Sequence, residues 1–171
     1  MRIADRALDA LRQATPEQIV VANDPLAGAW FPGEHIVADA LPGLGPLAGI
    51  ATALEAAAGA PVIVLAWDMP FVTAGLLLAL RQLGAREAST VVPAHDTHVE
   101  PLCAYYAAPA LAACRSLLAS GERRAAALVE SLPAVTYLSG DALAALGDPA
   151  RMFTSVDSPE QLAALGGRQA M

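Results

Sequence analysis

Apolar runs broken by short polar stretches divide the chain into recognisable elements. In residues 3–14, the apolar positions Ile3, Ala7, Leu8, Leu11 and Ala14 recur at helical spacing, and Thr15-Pro16 ends that helix. IVVA at 19–22 predicts a short buried strand, closed by the turn-prone Asn23-Asp24-Pro25. HIVAD at 35–39 predicts a second strand, and LPGLGPLAG at 41–49 a glycine-proline loop entering an alanine-rich helix that stops near Gly59. PVIVLAW at 61–67 is the clearest strand. A helix over 76–83 with Thr73 as its cap, a strand at 89–94 and a strand at 101–106 follow. Residues 109–118 and 124–132 predict helices, TYLS at 136–139 and MFTSV at 152–156 predict late strands, and Ser158-Pro159-Glu160 opens a terminal helix.

Strands alternate with helices, and the early strands are continuous apolar runs. That pattern predicts an α/β fold with a mainly parallel sheet covered on both faces, and residues 1–171 are expected to form a single domain. Ligands in such folds sit beyond the carboxyl ends of strands. Asn23, Asp39, Asp68 and residues 93–100 all fall there.

Composition narrows the class. With 56% hydrophobic and 16% charged residues among 171, the chain can bury a sizeable core. A net charge of −7 argues against a nucleic-acid surface, which needs a basic stripe. Every one of the ten basic residues is arginine, so chemistry that needs a lysine fails within this sequence. No apolar run approaches the ~20 residues of a membrane span. No signal pattern opens the sequence, so a cytoplasmic protein is expected. Cys103 and Cys114 form no C-x-x-C and are expected to be buried free thiols.

Asp68 is the foremost candidate for chemistry. A carboxylate at the end of a central strand can hold Mg²⁺ with one or two protein ligands while phosphates supply the rest, and Pro70 fixes the turn after it. GLGPLAGI at 43–50 lets backbone amides approach an anion at a helix start, but it is neither a P-loop nor G-x-G-x-x-G. His95 and His98, with Asp96 and Glu100, read as a polar substrate-contacting loop rather than a zinc site. The turn Gly121-Glu122-Arg123-Arg124 presents two guanidiniums suited to phosphate or carboxylate. No Ser/His/Asp or Cys/His set supports hydrolase chemistry.

Taken in order, VVAND, VADALPGLGPLAGI, VIVLAWDMPFV, HVEPLCAYY, SGERR and FTSVDSPEQL resemble the molybdenum cofactor guanylyltransferases across nearly the whole chain. The resemblance implies a three-layer α/β/α sandwich of the nucleotide-diphospho-sugar transferase type. It implies transfer of GMP from GTP to molybdopterin, with Mg²⁺. It places Asp68 as the magnesium aspartate and catalytic residue, and Asn23, Asp39, Gly45, Pro46 and Gly49 around the nucleotide. Glu100, Pro101, Arg123, Ser155 and Asp157 fall on the substrate side.

The sequence departs from that family in three places. The family opens with a strand and a glycine-rich loop bearing a lysine; MRIADRALDAL resembles the helix after that loop, so the domain is expected to be N-terminally shortened and its first strand missing. That loss should leave two apolar strand edges without partners, met by rearranged pairing, by a homodimer covering the open sheet, or by a segment outside this sequence. Trp67 stands where the family usually has a small residue or cysteine, and Ser155 and Asp157 replace asparagines. Two alternatives stay open: a non-catalytic truncated homologue acting as a binding or dimerisation module, and a relative using CTP or a sugar phosphate.

Overall fold

The computed structural model describes residues 2–166. The chain runs α1 (Ile3–Ala14), β1 (Ile19–Val21), α2 (Ala27–Trp30), β2 (His35–Val37), α3 (Pro46–Ala56), β3 (Val62–Leu65), α4 (Ala74–Glu87) and β4 (Thr90–His95). It continues with β5 (His98–Val99), β6 (Cys103–Tyr106), α5 (Ala110–Ala119), α6 (Ala125–Ser131), β7 (Val135–Leu138), α7 (Gly140–Ala144), α8 (Pro149–Met152) and α9 (Pro159–Gly166).

The alternation of side chains along the strands builds the three layers. Val91, Cys103 and Tyr105 face one core with Ala10 and Ala14 of α1, Leu76, Leu77 and Leu80 of α4, and Leu143 and Met152. Val92, Ala104 and Tyr106 face the other, with Leu47, Ile50 and Leu54 of α3, Cys114 of α5 and Leu128 of α6. Both cysteines are buried and free as expected, and burial pushes the Cys114 thiol up to about 12. No helix among the described residues is long and apolar enough to cross a membrane.

Local signals account for the element ends. The Thr73 hydroxyl caps α4 by accepting from the Leu76 N–H at 3.1 Å. Arg81 donates to the Ala14 carbonyl at 2.5 Å, placing a cation at the C-terminus of α1. Gly45 enters α3 at φ +79°, and Pro46 takes the first helical position.

Three expectations need correction. The strand directions are largely parallel, but the ladders are mixed: β6 lies between β3 and β4 and is antiparallel to both, while β7 is parallel to β4. Only residues 96–102 separate β4 from β6, too few for the crossover that a parallel pair requires. MFTSV is not a strand; Asp148 caps the short α8 through the Ala150 N–H, and residues 153–157 run irregularly to α9. Finally, α4 continues through Gly84 to Glu87 instead of ending at 83.

The expected open edges are present. Among the described residues β1 pairs with β2 alone, and β3 pairs with β6 alone, so the strands form two separate sheets. Every residue of β1 and of β3 is half-buried. Both strands pack on α3.

Candidate active site

The turn after β3 sets the centre of the site. The Met69 N–H closes it on the Ala66 carbonyl at 3.3 Å, leaving Trp67 and Asp68 at its two middle positions. The segment between α8 and α9 then locks Asp68 from 87 residues away. The Ser155 hydroxyl donates to Asp68 Oδ2, and the Val156 N–H donates to the Asp68 carbonyl at 2.8 Å. No cation pairs with the Asp68 carboxylate among the described residues, and no group of three or more His, Cys, Asp or Glu side chains converges there. A lone, hydroxyl-oriented carboxylate suits a hard cation completed by phosphates and water.

A second cluster joins the same segment. His95 and His98 face each other across a two-residue hairpin between β4 and β5, so these histidines belong to a strand pair and not to a free loop. The His95 ring stacks on Phe153 with centroids 5.1 Å apart. Its Nε2 lies 3.0 Å from Glu100 Oε1. Pro101 presents its carbonyl to the Tyr106 hydroxyl at 2.7 Å, which fixes the loop carrying Glu100. Phe153 is two residues before Ser155, so the Glu100–His95 pair and Asp68 share one support. Asp157 lies beyond it, exposed, with its N–H on Gln161 Oε1 at 2.8 Å.

The residues expected on the nucleotide side form a separate group. The Asn23 side-chain carbonyl accepts from the Asp39 N–H at 2.8 Å, tying the ends of β1 and β2. The buried Thr52 hydroxyl donates to Asp39 Oδ1 at 3.2 Å, and Oδ1 also accepts from the Leu41 N–H. Thr52 is marked in the sequence only by a hydroxyl on the apolar face of an alanine-rich helix.

The glycine-proline loop meets the arginine turn. The Leu47 N–H donates to the Arg123 carbonyl at 3.3 Å, and the Arg123 guanidinium donates to the Gly43 carbonyl at 3.4 Å. A Cβ on Gly45 would stand 3.2 Å from the Arg123 carbonyl oxygen at a positive φ, so this position requires glycine. Around Gly49 a Cβ would meet nothing within 4 Å. No hydrogen bond or ion pair among the described residues joins Asn23, Asp39, Gly45 or Arg123 to Asp68.

Glu122 holds the arginine turn. Its carboxylate accepts from the Arg124 guanidinium at 2.8 Å and from the N–H groups of Arg124 and Arg123. The Arg124 side chain first, then those two N–H groups, lower the Glu122 carboxyl from an ordinary 4.5 to about 2. A depressed carboxylate stabilises the fold above its unfolded pKa and loses that contribution as pH falls through the folded value. The difference in thermal midpoint between the parent and Glu122→Gln should therefore be full above pH 4.5 and vanish as pH falls to about 2. Calorimetric melts across that range check it.

A family model described as a MobA-like NTP transferase domain matches residues 1–135. The chain belongs to this family. The NTP transferase domain is 35% identical over 164 residues to the "Probable molybdenum cofactor guanylyltransferase" of Chloroflexus aggregans, covering 94% of this chain and 77% of that protein. A protein of the same name from Opitutus terrae is 35% identical over 133 residues, 76% of this chain and 65% of its own. Among solved structures, the molybdopterin-guanine dinucleotide biosynthesis protein A of Archaeoglobus fulgidus superposes with TM-score 0.76 at 26% identity, covering 93% of this chain and 83% of its own. The 2-C-methyl-D-erythritol 4-phosphate cytidylyltransferase of Thermus thermophilus, at TM-score 0.64 and 22% identity, covers 96% of this chain and 86% of its own; it shares the fold. In this NTP transferase domain, Asp68 lies in the turn just beyond the carboxyl end of β3, where the α/β rule places ligand sites.

Proposed function

We propose that the protein transfers GMP from GTP to the terminal phosphate of molybdopterin. The observation that carries this reading is the Asp68 carboxylate, fixed by Ser155 just beyond β3 and paired with no cation among the described residues. The names of the relatives from Chloroflexus and Opitutus supply the substrate pair.

In the reaction, a phosphate oxygen of molybdopterin bonds to the α-phosphorus of GTP. The bond from that phosphorus to the bridging oxygen of the β-phosphate breaks, and pyrophosphate leaves. Positioning and charge neutralisation supply most of the rate in such transfers. Asp68 would hold Mg²⁺, which neutralises phosphate charge when bound. Ser155 keeps the carboxylate aimed. Asn23, Asp39, Gly45, Pro46 and Gly49 serve the nucleotide. Glu100, Pro101, Arg123, Ser155 and Asp157 serve the acceptor, with His95 holding Glu100 in place. Calorimetric titration with GTP should show binding that magnesium strengthens and that Asp68→Ala removes, with CTP as the weaker control. A folded chain that binds neither nucleotide would overturn the reading in favour of a non-catalytic module.

The edges of β1 and β3 left unpaired among the described residues support a further element of the reading, a homodimer that covers them. Light scattering should return a mass about twice 17.5 kDa at micromolar concentration. A monomer there would overturn it.

A further inference from the structure

Trp67, the chain neighbour of Asp68 in the same turn, carries an indole with no part in the proposed transfer. Trp67 is 59% exposed, the most exposed of the large apolar side chains among the described residues. It enters no hydrogen bond between side chains, ring stack or cation–π pair in that set. The other tryptophan, Trp30, lies on α2 beside Arg2 and Phe31.

The backbone under Trp67 is pinned on both sides. The Ala66 N–H donates to the Leu102 carbonyl at 2.8 Å, and the Asp68 carbonyl accepts from the Val156 N–H at 2.8 Å. Trp67 and Asp68 share one tight turn, so their Cα atoms are about 3.8 Å apart. The attachment point of the ring is therefore fixed by main-chain bonds and does not ride on a wandering loop. An indole left in water forfeits the stabilisation its burial would bring, and a planar partner restores it.

We propose that Trp67 is a stacking platform for the fused 2-amino-4-oxopyrimidine ring of a ligand whose phosphates sit at Asp68. The proposal rests on the reading of Asp68 given above. Guanine and pterin both carry that ring, and both substrates bring phosphate to the same point, so one heterocycle can lie over the end of β3. The platform binds and orients the ring; it touches no reacting bond.

The experiment compares the parent, Trp67→Ala, Trp67→Phe and Asp68→Ala by calorimetry, each with magnesium. The ligands are GTP, a pterin bearing a phosphorylated side chain, and CTP. Trp67→Ala should weaken either GTP or the pterin about tenfold, the size expected for one lost base–aromatic stack, and Trp67→Phe should recover most of it. Loss confined to the GTP arm assigns guanine to the platform, and loss confined to the pterin arm assigns the pterin. In turnover assays the same variant should raise KM for that substrate and leave kcat close to the parent. Unchanged affinity for both ligands in Trp67→Ala would overturn the platform, as would a Phe variant as weak as Ala. If Asp68→Ala abolishes magnesium-dependent binding while Trp67→Ala changes nothing, only the platform falls. If Asp68→Ala has no effect, or the parent binds neither ligand, the reading of Asp68 falls with it.

Discussion

Replacing Asp68 with alanine should lower turnover on the order of a thousandfold and abolish the magnesium-dependent part of GTP binding. The size follows from what a bound cation contributes to charge stabilisation in phosphoryl chemistry, several kcal/mol at about 1.4 kcal/mol per factor of ten. Asp68→Asn separates charge from shape. Its amide can keep a hydrogen bond with Ser155 and the main-chain bond to Val156, yet it carries no negative charge. An asparagine variant as inactive as the alanine one identifies the charge as the active property. An asparagine variant near parental activity would show that the carboxylate is a turn residue and sink the metal reading. Ser155→Ala should fall between, because the carboxylate survives but is no longer aimed. Steady-state rates with GTP and molybdopterin, measured across magnesium concentrations, separate these cases.

Gly84→Ala should destabilise the protein, the reverse of what this substitution does in an ordinary helix. Alanine in a helix interior normally gains about 1 kcal/mol over glycine. Here a Cβ on Gly84 would stand only 2.2 Å from the Tyr105 ring, which is itself buried between α4 and the sheet. Overpacking of that kind costs about 1–3 kcal/mol, and more for larger side chains. Gly84→Val should therefore lower the thermal midpoint by roughly 5 °C or more in a domain of this size. The control is a double-mutant cycle. In a Tyr105→Ala background the clash has no partner, so Gly84→Ala should become neutral or stabilising. Destabilisation that persists there would mean that the glycine serves α4 in some other way. Denaturant midpoints of the four proteins decide it.

These two residues also mark how far the sequence could be read. Asp68 was legible because its signal is local: an apolar strand, one acid, then a proline that ends the run. The helix at 3–14, the cap at Thr73 and the entry Gly45-Pro46 were legible for the same reason, since periodicity, capping and turn chemistry act within a few residues. The buried cysteines followed from composition. The resemblance then placed Ser155 and Asp157 on the substrate side, but no local pattern showed that Ser155 reaches Asp68 across 87 positions.

What the sequence determined by itself was the α/β alternation, the ends of most elements, the list of residues beyond strand ends and the family. Tertiary structure decided which of those residues meet. It reversed β6 between β3 and β4, because the short connection after β4 admits no crossover. It set Thr52 under Asp39 and Phe153 against His95, contacts fixed by which helix face reaches which strand end. It carried α4 past residue 83 through Gly84, where the Tyr105 ring occupies the space a side chain would need. Local chemistry sets where elements begin and end; burial of their apolar faces against one another sets their neighbours, and only the folded chain contains that information.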